Sequence, residues 1–99
     1  MHPATMQPVR DCSQSSVHAL IQLIERSSAP EHFLYREAEL DDLWRQVQTR
    51  LETARAENAD EAVRRLEQQL QAVWDAHNLV AAMNAPEAAA RLRQLLQAE

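Results

Sequence analysis

In a short chain, metal and nucleophile chemistry falls first to histidine and cysteine. Here these are His2, His18, His32, His77 and the single Cys12. No histidine stands three or four residues from another histidine or from Cys12, and neither Glu-x-x-His nor His-Glu-x-x-His occurs. The sequence signatures of helical di-iron and zinc sites are therefore missing. Asp75 and His77 lie about 200° apart on a helical wheel, a poor geometry for joint ligation. Met83 and His77 are separated too widely to share a ligand. No serine sits in a nucleophile elbow, and no isolated carboxylate pair lies in an apolar setting suited to acid–base work. The sequence has no Gly, which rules out the P-loop and the dinucleotide fingerprint. The residues thus predict no catalytic, metal or cofactor site and a protein that is not an enzyme.

The remaining residues of interest are suited to contact. Trp44 and Trp74 are the only tryptophans, and Trp is favoured at interface hot spots. Trp74 lies on the flank of its apolar arc. It either packs under the first or last helix or anchors a partner. The run Glu37-Ala38-Glu39-Leu40-Asp41-Asp42 is either a solvated helical face or a docking site for a basic partner. His77, on an apolar stripe, is read as a hydrogen-bonded core or boundary histidine.

These residues sit on helices. Leu40, Trp44, Val47, Leu51 and Ala54 recur at steps of three and four, as do Val63, Leu66, Leu70, Val73, His77 and Val80, with Ala62 beside them on the same arc. Both stretches are amphipathic helices, folded back about Ala56-Glu57-Asn58-Ala59-Asp60. The second helix of the chain should run from Pro30 to about Ala56, with Ser28 as its cap. The third should run from about Ala59 to Met83. The Trp residues then fall at similar heights on the hairpin. Asn58 can cap the third helix, and Asn58 and Asn84 are the residues suited to unusual turn conformations in a chain without glycine.

A first helix, capped by Ser13, Ser15 or Ser16, should end near Arg26. Its Val17, Leu20, Ile21, Leu23 and Ile24 cover a wide arc, more than one neighbour needs. A fourth, opening at Asn84-Ala85-Pro86-Glu87 and reaching about Gln97, turns Ala88, Leu92, Leu95 and Leu96 inward. Asp41–Arg45, Glu61–Arg65 and Glu87–Arg91 are spaced as i,i+4 ion pairs. The helix openings at Asn58 and Asn84 resemble each other and are slightly reminiscent of tetratricopeptide-type repeats. The constant period, paired aromatics and glycine of those repeats are missing, so the likeness is one of helix-start chemistry.

The fold class is accordingly all-α, a small antiparallel bundle of four helices with a long central hairpin. Residues 1–12 form a flexible tail and 13–99 one domain. A net charge of -5 opposes binding to a nucleic-acid backbone. Arg64, Arg65, Arg91 and Arg93 are read as partners of Glu61, Glu67 and Glu87. No stretch approaches the ~20 apolar residues of a membrane span. Arg without Lys, with abundant Ala, suggests a GC-rich bacterial genome, and one lone Cys suits the cytoplasm. The expected function is a small acidic protein-interaction module: a regulator, adaptor or secretion-type chaperone acting by helix–helix binding, with a homodimer as one form. The alternative is a ligand- or metal-binding bundle with a sensing or catalytic role. The candidate partner-binding residues are Leu20, Leu23, Ile24 and Trp74, with Glu37, Glu39, Asp41 and Asp42.

Overall fold

The computed structural model describes residues 14–97. Four helices follow in order: α1 (Gln14–Arg26), α2 (Pro30–Ala56), α3 (Asp60–Ala81) and α4 (Ala85–Gln97). Among the described residues there is no strand. The N-terminal tail and the cap of α1 lie outside the described residues.

Local chemistry sets each boundary. Ser27 closes α1: its N–H donates to the Ile24 carbonyl and its hydroxyl to the Leu23 carbonyl. Pro30 occupies the first turn of α2, where no backbone donor is lost. Ser28 does not cap this helix, because Ala29 holds the cap position. His32 reaches back instead, and its Nδ1 accepts the N–H groups of Ser28 at 3.2 Å and Ala29 at 3.3 Å. This is the returning half of a capping box, with imidazole in place of the usual Glu or Gln. Accepting at Nδ1 uses the lone pair of that nitrogen.

The two turns after α2 and α3 are built alike. At the first, the Asn58 N–H donates to the Arg55 carbonyl and the Ala59 N–H to Ala54, with Asn58 at φ 57°. At the second, the Met83 N–H donates to Val80 and the Asn84 N–H to Leu79, with Met83 at φ 58°. Both are Schellman motifs, which close the last helical carbonyls around one left-handed residue. Asn58 therefore ends α2 rather than capping α3, whose cap position is Ala59. Asn84 is not the left-handed residue. It caps α4, its Oδ1 accepting the Glu87 N–H at 3.4 Å.

At ~1.5 Å per residue, α2 is about 40 Å long, α3 about 33 Å, and α1 and α4 about 20 Å each. The α2–α3 hairpin is the most extensive contact, α4 lies along the other flank of α3, and α1 packs mainly on α4. α1 lays Val17, Leu20, Ile21 and Ile24 into the core, and α4 contributes Ala88, Ala89, Leu92 and Leu95. Burying one such Leu or Ile stabilises the fold by about 1.5–3 kcal/mol. Arg91 reaches across to Asp75 on α3 at 3.7 Å, rather than to Glu87 on its own helix. Arg93 pairs with Glu25 of α1. Near the end of α4, Gln94 and Leu95 stand beside Gln68, Gln69 and Ala72 of α3. The hairpin tip therefore projects past α4.

Candidate functional site

Trp74 is 48% exposed, although the core beside it is closed. On α3 the buried side chains Leu66, Gln69, Ala72, Val73, Ala76 and Val80 share one arc. Trp74 falls outside that arc, at the edge facing α2, because it is one residue past Val73. It packs under neither α1 nor α4. Its ring leans on Trp44 of α2, with centroids 6.5 Å apart and planes tilted by 55°. Tilted aromatic pairs at this separation are favourable beyond the area they bury. Its stacking neighbour is His77, parallel within 2° at 5.7 Å. The two tryptophans thus stand at matching heights on opposite arms.

From this pair a shallow groove of about 290 Å³ runs toward the hairpin tip. Leu51 and Leu70 form its apolar lining, and Arg55 and Glu67 stand at the far end, joined by an ion pair of 3.1 Å. Indole at one end, aliphatic side chains between and a charge pair at the other make a surface suited to a side chain or helix of another molecule. Its polar lining is Arg55, Glu67 and Gln71, the first two already joined to each other. Between α3 and α4 lies a second groove, lined largely by Gln68, Gln69, Gln71 and Gln94.

Among the residues named from sequence, Leu20 and Ile24 are fully buried. They are core residues covered by the same chain and are unavailable to a partner in this fold. The wide arc of α1 is used up because this helix is wedged into the bundle. Leu23 is half-buried at its edge. Glu37, Glu39, Asp41 and Asp42 are all half-buried, so the acidic run is not the fully solvated face that its composition suggests. Glu39 pairs with Arg36 at 2.8 Å, with 21% and 17% of the side chains exposed. Asp41 pairs with Arg45 at 3.1 Å, the i,i+4 pair read from spacing. Trp74 is the one apolar member that remains well exposed.

Sequence reasoning missed Leu34 and Tyr35, exposed by 66% and 64%. Their signal was their position off the apolar arc of α2 while being apolar themselves. His77 is half-buried, and its Nδ1 is enclosed without a hydrogen-bond partner among the described residues. Its ring is engaged by stacking rather than by the hydrogen bond its apolar position suggested. Among the described residues, no group of three or more His, Cys, Asp or Glu is placed to hold a metal ion. No described helix is long and apolar enough to cross a membrane. No protein-family model, curated protein or solved structure matches the chain.

Proposed function

We propose that this chain is a protein-interaction module acting by helix–helix binding, in the manner of a small regulator, adaptor or secretion-type chaperone. The observation that carries the reading is Trp74, half exposed and held in position by Trp44 and His77. The buried core, Phe33 included, closes without it, and about half of the Trp74 surface stays open beyond its contact with Trp44. Large aromatic side chains presented on a rigid helix pair lose little freedom on binding and are typical anchors. The partner is another protein or a second copy of the chain.

Size-exclusion chromatography with light scattering, at several concentrations and with a chemical cross-linker, tests whether copies associate. For a homodimer, Trp74→Ala lowers the associated fraction at least fivefold while the helical circular dichroism stays unchanged. Association that is insensitive to Trp74→Ala, or that disappears together with helicity, rejects the groove as the contact surface.

A further inference from the structure

The acidic charge of the chain is gathered beside the open end of this groove. Residues 30–45, which open α2, carry Glu31, Glu37, Glu39, Asp41 and Asp42 against Arg36 and Arg45, a net of -3 within a chain of net charge -5, with Arg45 paired to Asp41. The same segment exposes Leu34 and Tyr35. Leu34, Glu37, Asp41 and Trp44 recur at steps of three and four, so they form one stripe along α2. That stripe leads into the Trp44–Trp74 pair, where the groove begins. Two acidic groups, Glu37 and Asp41, therefore lie between the apolar Leu34 and Trp44 along one face.

We propose that this face docks a basic amphipathic helix of another protein. The inference rests on the interaction reading above and names the chemistry of the partner. Trp44 to Arg55 spans about 16 Å on α2, three turns of a bound helix. Leu or Met anchors at i, i+3/i+4 and i+7 meet the indoles, Leu51 and Leu70. Arg or Lys on the flank of that helix meets Glu37 and Asp41, and a guanidinium can lie on the open part of Trp74. A second copy is the poorer occupant, since it brings its own net charge of -5 to the contact.

The test uses three fluorescein-labelled 18-residue model helices that share one leucine stripe. Their polar faces are arginine, glutamine or glutamate. Binding to the full chain is read by fluorescence polarisation at low and high salt. The arginine peptide should bind at least tenfold more tightly than the glutamate peptide, and less tightly as salt rises. Trp74→Ala should weaken it at least tenfold. The double variant Glu37→Gln with Asp41→Asn should weaken it several-fold and flatten its salt dependence. Equal binding of the arginine and glutamine peptides, still lost in Trp74→Ala, overturns the basic partner but leaves the groove reading standing. Arginine-peptide binding unchanged in both variants shows non-specific attraction and overturns the proposal. Self-association that is abolished by Trp74→Ala and blocks all three peptides assigns the face to a second copy and also overturns it. No binding by any peptide to a chain that remains monomeric removes both readings.

Discussion

Met83 shows how a single residue can hold a conformation against its own preference. At φ 58° it closes the turn between α3 and α4 in the left-handed region, where a side chain crowds the following carbonyl. That conformation costs a non-glycine residue about 1–2 kcal/mol, and Asn58 meets it more easily at the equivalent turn because a short polar side chain tolerates it. Met83 is also 56% exposed, so its thioether buries little in return. Met83→Gly should therefore raise the stability of the chain by about 1 kcal/mol, seen as a higher urea midpoint with an unchanged slope. A lower midpoint would mean that the Met83 side chain contributes packing that its exposure does not suggest. Turn preferences alone assign the left-handed conformation to Asn84, one residue too late. What decides is where α3 stops. Ala82 holds the C-cap position, so Met83 follows in the left-handed region and Asn84 is left to cap α4.

At the scale of the element, α2 depends on a start signal that its sequence disguises. Ala29 has no side-chain acceptor, and Ser28 stands one position too early, so His32 accepts the two exposed N–H groups. His32→Ala should cost about 0.5–1 kcal/mol, and His32→Gln should recover much of it, because glutamine at this position is a normal capping-box partner. Thermal unfolding of the three proteins measures the difference, and equal losses in both variants would remove the cap from the account. The helices themselves were legible because the apolar positions of α2 and α3 keep a strict three-and-four spacing from Leu40 to Ala54 and from Leu66 to Val80. What the spacing could not convey is which flank of a helix has a neighbour. A wheel drawn for α3 places Trp74 beside Val63 and Leu70, yet only the pairing with α2 decides that this flank stays partly open. The wide arc of α1 was ambiguous for the same reason: its width is equally consistent with burial between helices and with a free surface, and the packing on α4 resolves it toward burial.

As a whole, the molecule is a long hairpin with two short helices laid on one side of it, a slab 43 × 36 × 19 Å in extent. The hairpin has no closed core of its own. Val73, Ala76 and Val80 of α3 share one cluster with Leu20 and Ile24 of α1 and Leu92 of α4. A fragment of residues 30–82 should therefore lose most of its helical circular dichroism, since two antiparallel helices bury too little to offset the entropy of ordering. A fragment as helical and as cooperative as the full chain would show that α1 and α4 are accessories. The element count and the hairpin could be read in advance because Asn58 interrupts two periodic stretches of similar length. The candidate surface could be read only in part, because it arises from two helices meeting.

The contact between Trp44 and Trp74 has one more consequence. The chain has no other tryptophan, so all of its indole absorption originates at the mouth of the groove. Two indoles 6.5 Å apart and tilted by 55° have coupled transition dipoles, and the near-ultraviolet ellipticity they produce depends on their mutual angle. The protein thus carries a built-in optical gauge at the face assigned to binding, one that registers a small rotation of either ring without any attached dye.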